Sequence, residues 1–254
     1  MLILTPLKRF PFIHAGDDLV KEIIYSLVSN EINIIENDIL VITQKIVSKS
    51  EGRFIDLNSI TPSPDAIQLA GKCEKDARLV ELILAESKSV LRVRLGTIIV
   101  RHRLGFVCAN GGIDHSNVSL ENSESEELVL LLPEAPNLSA RTISKRIKEI
   151  LGLNIGILII DSHGRAWRLG VVGASIGFYG IPGLVDMRGQ ADLFGGKLRI
   201  TEIAVADELA AAASLMMGQA SEGFPVIHVR GFPYPLRDGN FSELIRPVEN
   251  DLFQ

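Results

Sequence analysis

Residues 138–165, LSARTISKRIKEILGLNIGILIIDSHGR, decide the fold class that we expect for this chain. Up to Leu151 the apolar residues recur at helical spacing, and arginines and lysines occupy the opposite side. A short link then leads to an apolar run at 155–160, which Asn154 and Asp161 bound. A helix that leads directly into a nearly all-apolar strand is typical of α/β proteins, whose central strands are buried on both faces.

The same periodicity predicts further helices and strands on both sides of this stretch. Helices are expected at 18–29, 63–87 and 201–217, and strands at 39–43, 90–94, 97–102, 105–108 and 224–229. Fourteen of the 22 glycines lie between Gly105 and Gly196, which favours strands joined by tight turns there. The sequence therefore predicts a mixed α/β (α+β) chain that forms a single unit over residues 1–254, with a subdomain at about 65–150.

The composition is that of a globular protein, with 46% hydrophobic residues, 22% charged residues and a net charge of −5. Because no long basic block occurs, binding to nucleic acid is not expected. Cys73 and Cys108 are too few for a disulfide framework or a zinc knuckle. The N-terminus lacks the features of a signal peptide, and the longest apolar runs span about six residues where a membrane helix needs about 20. We therefore expect a cytoplasmic protein without a membrane partner.

The strongest candidate for chemistry is the junction at 158–165, where the apolar strand leads into Asp161, Ser162 and His163. Ligand sites of α/β folds lie beyond the carboxyl ends of strands, which is where Asp161 is expected. A carboxylate beside a hydroxyl suits a hard cation such as Mg²⁺ or Mn²⁺. The alternative is a turn in which Asp161 accepts hydrogen bonds from neighbouring backbone N–H groups.

Two other polar segments also follow predicted strands, and each has a simpler structural explanation. The Gly-rich stretch 109–117 offers Asp114 as a second metal carboxylate and Asn117 as a hydrogen-bonding group, unless it is only a long surface turn. The stretch 43–53 offers two lysines, two serines and an arginine for phosphate binding, unless it is only a solvated helix start. It lacks the G-x-x-x-x-G-K-[ST] pattern of a Walker A loop.

A third segment, 217–225, offers Gln219 and Glu222 to a ligand, unless it is an ordinary loop between a helix and a strand. Gly218 is expected to end the preceding helix in the left-handed conformation. The glycines at 170–177 do not have the Rossmann spacing, so close strand packing is expected there instead of dinucleotide binding. Their G-x-S-x-G string lacks the strand and helix context of a hydrolase nucleophile.

Taken in order, these segments resemble the coenzyme F420-0:L-glutamate ligase family, also called F420-0:gamma-glutamyl ligase. The resemblance runs from about residue 5 to about residue 232. Its motifs are FPFI at 10–13 with GDDL at 16–19, TQKIVSKSEGR at 43–53, NGGIDHSN at 110–117, LLP at 131–133, DSHGR at 161–165, GVVG at 170–173 and ADELAAAASLMMG at 206–218. Each motif is weak alone, but seven of them in this order are specific.

The resemblance implies a nucleotide-dependent amide ligase that adds L-glutamate to F420-0, first through an amide and then through a γ-linkage. It also implies GTP as co-substrate with GDP as product, Mg²⁺ or Mn²⁺ at two sites, a monovalent cation such as K⁺, and a homodimer. The implied fold has mixed sheets with flanking helices, arranged as two intertwined subdomains. The nitroreductase-like domain that some bacterial relatives carry at their C-terminus is not expected here.

The residue roles that the resemblance implies fall on the segments described above. Asp114 and Asp161 match the family's metal-binding aspartates and are the implied catalytic residues. Ser162 and Gln219 match the remaining metal ligands, with Ser162 in place of the usual threonine. The implied nucleotide-binding residues are Phe10, Pro11, Phe12, Ile13, Gln44, Lys45, Lys49, Asn117, Gly218, Gln219, Ala220, Ser221, Glu222 and Gly223. His163 departs from the family's usual asparagine, which bears on the choice of acceptor.

Three other functions stay open at this point. A ligase of the same fold could act on another carboxylate acceptor. A nucleotide-binding regulatory protein could keep the pocket without catalysis, although it would not need the metal-ligating residues. A metal-dependent phosphohydrolase would release phosphate from GTP without glutamate, but the D-x-D pattern of one large phosphatase class is missing because position 163 is His.

Overall fold

The main sheet of the protein is built around the apolar strand that the sequence predicts at 39–43. The structure is a computed structural model, and it describes residues 1–116, 118 and 127–251. The strands are β1 (Ile3–Pro6), β2 (Ile39–Thr43), β3 (Phe54–Asp56), β4 (Ser87–Arg94), β5 (Thr97–His102), β6 (Val107–Ala109), β7 (Leu128–Leu130), β8 (Gly156–Arg165), β9 (Arg168–Tyr179), β10 (Val185–Asp186), β11 (Glu202–Ile203) and β12 (Val226–Arg230). The α-helices are α1 (Leu19–Ser29), α2 (Gln44–Ser50), α3 (Pro64–Cys73), α4 (Ala77–Ala85), α5 (Pro136–Leu151) and α6 (Val205–Met217).

The main sheet contains five strands in the order β1, β12, β2, β8 and β9. Within it β2 and β8 run parallel, and the other neighbours are antiparallel. The first four residues of β2 are buried, as is β8 up to Ile160. Burial of both faces explains why these two strands are continuous apolar runs, and it confirms the predicted mixed α/β class.

Helices α5 and α6 pack closely on β9 because that strand carries glycines at the contacts. A Cβ atom on Gly173 would lie 2.5 Å from the carbonyl oxygen of Ala210, in α6. A Cβ atom on Gly177 would lie 2.4 Å from Cβ of Pro136, at the start of α5. Both separations are far below van der Waals contact, so the predicted packing role of these glycines is confirmed.

Smaller sheets surround the main one. Strands β4, β5 and β6 form an antiparallel sheet, β3 pairs with β7, and β10 pairs with β11. The β10–β11 pair is the base of an arm at 185–203, in which Gly189 N donates to Leu198 O at 2.8 Å and Asp192 N donates to Gly196 O at 2.7 Å. The subdomain at about 65–150 stays a prediction.

Most predicted elements are present, and local signals explain their limits. Helix α1 follows Asp18, whose side chain accepts a hydrogen bond from Lys21 N, as an N-cap does. The helical region predicted at 63–87 is two helices instead of one. Glu74 has a φ of 52° and ends α3, and Asp76 then caps α4.

The predicted end of β8 is wrong. The strand does not end at Ile160 but continues to Arg165, because β9 pairs with it there. Asp161 lies opposite Ala174, and Ser162 lies opposite Gly173. The alternative of a local turn at Asp161 is wrong for the same reason. Polar residues at 161–165 resemble a turn in sequence, but this pairing is a long-range contact.

The limits of α6 also differ from the prediction. The helix begins at Val205 and not at 201, because Glu202 and Ile203 pair with β10. Gly218 ends the helix with a φ of 74°, as expected of glycine, but its ψ of −178° is not left-handed helical. In the described parts of the chain, no helix has both the length and the apolar character needed to cross a membrane.

Candidate active site

Two neighbouring strands bring polar residues to one end of the main sheet. In the parallel pair β2–β8, Thr43 lies opposite Ile160. Gln44 begins α2 immediately after Thr43, and Asp161 comes immediately after Ile160. The side chains of Gln44 and Asp161, which follow two different strands in the sequence, therefore leave the backbone at the same level of the sheet.

A β-bulge lies directly beside Asp161. Strand β9 carries one extra residue, Ile176, between the pairs Ile159–Gly177 and Ile160–Ser175. Such bulges redirect the neighbouring side chains and are common beside active sites. Ser175 Oγ donates to Asp207 Oδ1 at 2.5 Å, which ties the bulge to the first turn of α6. The buried Ser175 hydroxyl thus has a structural role. This agrees with the prediction that the G-x-S-x-G string around Ser175 is not a hydrolase nucleophile motif.

Asp114 reaches this end of the sheet from a tight turn. Asn110, Gly111 and Gly112 have φ values of 52°, 65° and 65°, a run of left-handed conformations that glycine tolerates best. Asp114 then exchanges backbone hydrogen bonds with Leu130, at 3.0 and 2.9 Å. The backbone of Asp114 is therefore held by residues outside its own turn, so the segment is more than a surface turn.

A buried amide connects α2 to the Asp114 carboxylate. Gln44 Nε2 donates to Asp114 Oδ2 at 2.5 Å. Ser48, one turn further along α2, donates from Oγ to Gln44 Oε1 at 2.9 Å. Gln44 and Ser48 are both almost completely buried. The start of α2 is therefore not the solvated helix start that the sequence left open.

The charge of Asp114 is unfavourable in this environment. Burial, and to a smaller extent the negative charge of Asp161, raises the pKa of Asp114 to about 6. Lys45 lies 3.5 Å from Asp114 Oδ1 and opposes this shift, as does the Gln44 amide. The two aspartates are thus close enough to repel each other, and one lysine compensates only in part.

Two lysines of α2 add positive charge beside the carboxylates. Lys45 donates to Ser116 Oγ at 3.1 Å as well as contacting Asp114. Lys49 is half-buried, and among the described residues it forms no ion pair. Burial, together with the nearby charge of Lys45, lowers the pKa of Lys49. An anionic ligand that contacted both lysines would gain charge-assisted hydrogen bonds and relieve their repulsion.

His163 and Cys108 lie on the Asp161 side of β8. His163 Nε2 is 3.1 Å from Asp161 Oδ2, and both side chains are largely buried. Burial, with the Asp161 charge adding to it, raises the pKa of the Cys108 thiol to about 12. That thiol stays protonated at neutral pH, which agrees with its expected role as a small buried residue.

Ser162 and Gln219 meet on the opposite side of β8. Ser162 Oγ donates to Gln219 Oε1 at 2.9 Å, and Gln219 Nε2 donates to Ser214 Oγ at 3.0 Å. Successive residues of a strand point to opposite faces, so Ser162 faces away from Asp161. The four predicted metal ligands therefore form two pairs, Asp114 with Asp161 and Ser162 with Gln219.

The N-terminal segment of the predicted nucleotide site runs alongside α2. Ile13 is buried and Phe10 packs against the core, whereas Phe12 is 82% exposed and Pro11 is partly exposed. Further along the segment, Gly16 N donates to Ser50 O at 2.9 Å. Of these predicted residues, Phe12 presents the largest free surface.

The second predicted nucleotide segment, 218–223, forms an exposed loop after α6. The carboxylate of Glu222 accepts a hydrogen bond from Ala220 N at 2.8 Å, so Glu222 folds back into its own loop. Ser221 is exposed beside it, and Gly223 has a φ of 70°. Asn117, the remaining predicted nucleotide residue, lies outside the described residues.

Sequence reasoning missed two residues that contact the site. Ser48, which the sequence offered only as one of two serines for phosphate binding, holds the Gln44 amide, and its spacing of four residues from Gln44 was a usable signal if a helix starts there. Phe106 packs on His163 with ring centroids 5.0 Å apart. No local pattern could reveal that contact, because it joins distant parts of the chain.

The donor atoms of the site suit hard cations. Among the described residues, no cluster of three or more His, Cys, Asp or Glu side chains is arranged to hold a metal. What the site offers is a carboxylate pair on one side of β8 and a hydroxyl–amide pair on the other. Mg²⁺ commonly binds through one or two carboxylates while keeping waters and substrate phosphates. Burial and the nearby Asp161 charge raise the pKa of Asp114, so a bound cation would stabilise the ionised carboxylate, and these residues fit such an ion.

The sheet, the buried carboxylates and the two lysines define a mixed α/β enzyme whose site suits anionic substrates. Residues 8–231 match the F420-0:Gamma-glutamyl ligase family, and the chain belongs to that family. The resemblance recognised in the sequence is thereby confirmed, as is the predicted class of acid–amino-acid ligase.

Several relatives are similar over most of their length. The chain is 44% identical to the coenzyme F420:L-glutamate ligase of Methanothermobacter thermautotrophicus over 253 residues, which cover 99% of this chain and 98% of that protein. It is 44% identical to the protein of the same name from Methanocaldococcus jannaschii over 219 residues, 86% and 85% of the two chains. Identity to the Archaeoglobus fulgidus protein of that name is 37% over 249 residues, 98% and 95% of the two chains.

Proposed function

We propose that the protein joins L-glutamate to coenzyme F420-0, first through an amide and then through a γ-linkage, with GTP as co-substrate. Family membership and the names of nearly full-length relatives support the glutamate and F420-0 part of this proposal. The observation that carries it is the cluster in which Gln44 and Lys45 contact Asp114 beside Asp161. This cluster provides both the oxygen ligands and the positive charge that phosphoryl transfer needs.

Two divalent ions, Mg²⁺ or Mn²⁺, are part of the proposal. Asp114 and Asp161 would hold one ion, and Ser162 and Gln219 would contribute to the other. When bound, such ions offset the phosphate charge that would otherwise repel an approaching carboxylate. A monovalent cation such as K⁺ stays a prediction from the resemblance alone.

The nucleotide is proposed to lie along α2 with its phosphates at Lys45 and Lys49. These lysines are adjacent on the helix, and Lys49 has no carboxylate partner among the described residues. The segments 10–13 and 218–223 would contact the rest of the nucleotide, with Phe12 offering an exposed aromatic face. This arrangement leaves Gln44 to fix the orientation of Asp114 and not to contact substrate directly.

The proposed reaction has two steps. Transfer of the γ-phosphoryl group of GTP to the acceptor carboxylate gives an acyl phosphate, which has a far better leaving group than a carboxylate. GDP is released in that first step. The amine of glutamate then attacks the acyl carbon, loses a proton and displaces phosphate, which gives the amide. Lys45 and Lys49 stabilise the negative charge that develops on the transferred group.

A homodimer is also proposed, on the basis of exposed apolar side chains. Trp167 and Leu169 at the tip of the β8–β9 hairpin, and Leu193 and Phe194 at the tip of the 185–203 arm, are each more than nine-tenths exposed. Apolar tips of this kind are typical of surfaces that are covered in an assembly. Light scattering of the wild type should give the mass of two chains. The double variant Leu193→Ser, Phe194→Ser should give a lower mass.

Product masses test the proposed function directly. The purified protein is incubated with F420-0, L-glutamate, GTP and Mn²⁺, and the mass of the acceptor is followed. A gain of one or more glutamyl units supports the ligase. GTP binding without any gain would instead favour another carboxylate acceptor or a regulatory role, and phosphate release that needs no glutamate would favour a phosphohydrolase.

A further inference from the structure

His163 sits against Asp161 without being held by it. The two residues share a face of β8, since alternate residues of a strand point the same way. His163 Nε2 lies 3.1 Å from Asp161 Oδ2, and the two side chains are 12% and 14% exposed. The geometry is nonetheless not that of a hydrogen bond, and Nε2 has no hydrogen-bond partner among the described residues. Some other contact must therefore fix the imidazole beside the carboxylate.

That contact is with Phe106. The centroid of the Phe106 ring is 5.0 Å from the His163 ring at an interplanar angle of 44°. The same phenyl ring stacks on His102, with centroids 5.0 Å apart and an interplanar angle of 3°. His102 is completely buried, and its Nδ1 accepts a hydrogen bond from Leu104 N at 3.1 Å. Phe106 thus links a fixed imidazole to the one beside Asp161.

The C-terminal segment holds Phe106 from another direction. Phe241 is buried and meets Phe106 edge-on, with centroids 5.8 Å apart and an interplanar angle of 85°. It lies beyond residues 8–231, the part of the chain that matches the family. The segment is well anchored, since Glu243 pairs with Arg237 at 2.6 Å and accepts a hydrogen bond from Gly183 N at 3.1 Å.

We propose that His163 is a positioning residue for Asp161, and that the C-terminal segment holds it in place through Phe241 and Phe106. The imidazole, fixed by Phe106, keeps its polar Nε2 atom 3.1 Å from Asp161 Oδ2, and this polar contact, more than the bulk of the ring, limits the orientations open to the carboxylate. The importance of that orientation rests on the proposed function, in which Asp161 binds a divalent ion. Residues that orient metal ligands commonly change metal affinity by about 10- to 100-fold when they are replaced.

Paired variants test this proposal. His163→Leu removes the ring nitrogen but fills the space, whereas His163→Gln keeps a polar N–H group. Mn²⁺ affinity is measured by electron paramagnetic resonance without GTP or acceptor, and crystal structures record the Asp161 side chain. We expect His163→Leu to weaken Mn²⁺ binding by about 10-fold and to move the carboxylate, and His163→Gln to restore most of the affinity.

The C-terminal part of the proposal has a matched control within the same segment. Phe241→Leu should weaken Mn²⁺ binding by about threefold, a smaller loss than for His163→Leu because Phe241 acts through Phe106. Phe232 is also aromatic and partly buried, but it packs on Tyr234 at 5.7 Å and not on Phe106. Phe232→Leu should therefore leave Mn²⁺ affinity unchanged. Equal losses in the two variants would overturn the role of the C-terminal segment.

A failure of the proposed function can be distinguished from a failure of the positioning role of His163. If the wild type binds no Mn²⁺, the metal assignment fails, and positioning is judged from the crystal structures alone. An Asp161 carboxylate that adopts a new orientation in His163→Leu then still supports the proposal. An unchanged carboxylate in that variant overturns it, whether or not the protein ligates glutamate.

Discussion

Replacing Asp114 by Asn should make the protein more stable at neutral pH, although it removes a residue of the proposed site. The carboxylate is about a quarter exposed, and burial raises its pKa from 3.8 to about 6. The Asp161 charge adds to this shift, while Lys45 and Gln44 oppose it. The folded state therefore disfavours the ionised form that exists at neutral pH. Asparagine has no charge to place there and can still accept the hydrogen bond from Gln44.

The expected gain in the free energy of unfolding follows from the raised pKa of Asp114. About two pKa units correspond to about 3 kcal/mol of differential stability between the two protonation states. Because the variant leaves Lys45 without its carboxylate, we expect a net gain of about 1–3 kcal/mol in the free energy of unfolding. The pKa of the carboxyl is higher in the folded than in the unfolded state, so the wild type loses stability as pH rises from about 4 to about 6. The gain should be complete above pH 6 and about half as large at pH 5.

Urea unfolding in the presence of EDTA measures this effect at pH 7.5 and pH 5.0. Asp65→Asn, on the exposed first turn of α3, is the matched control and should change stability by about 0.5 kcal/mol or less. Asp114→Asn should lose metal-dependent turnover at the same time. A variant no more stable than the wild type at pH 7.5, or a gain that is the same at both pH values, would refute the electrostatic argument.

Three further variants test other parts of the structure. Asp161→Asn should fold normally by circular dichroism but lower Mn²⁺-dependent turnover by more than about 100-fold, because it removes a proposed ligand; near-native turnover would contradict the assignment. Gly173→Ala should lower the unfolding free energy by about 1–3 kcal/mol, since its Cβ would meet α6, whereas Gly164→Ala meets open space and should be neutral. Asp38→Asn should cost about 3 kcal/mol in urea unfolding at pH 7, because it leaves buried His228 without its carboxylate; in the wild type this stability is lost as pH falls through the lowered pKa of Asp38.

The elements that the sequence predicts best are those whose local and long-range preferences agree. Strand β2 has the predicted limits because it is apolar throughout and buried on both faces. Helix α1 begins where Asp18 supplies an N-cap. In these places the nearest neighbours in sequence already determine the conformation.

The predictions that failed depend on pairing between distant segments. Polar residues at 161–165 are extended only because β9 lies beside them, and Glu202 is extended only because β10 does. The individual site residues could be named from the sequence, but their grouping could not. Asp114 contacts Gln44 across 70 positions, and Phe241 reaches the His163 neighbourhood from the far C-terminal segment.

The geometry of one strand accounts for the separation of the proposed ligands into two pairs. Asp161 and Ser162 are adjacent in β8, so the alternation of the strand sends their side chains to opposite faces. Asp161 then meets the Asp114 segment, and Ser162 meets Gln219 beyond α6, which Gly173 allows to approach. The distance between the two pairs is therefore set by the pleat of β8 and not by flexible loops. Ions held by the two pairs would therefore lie on opposite faces of β8, and the strand itself would set their separation.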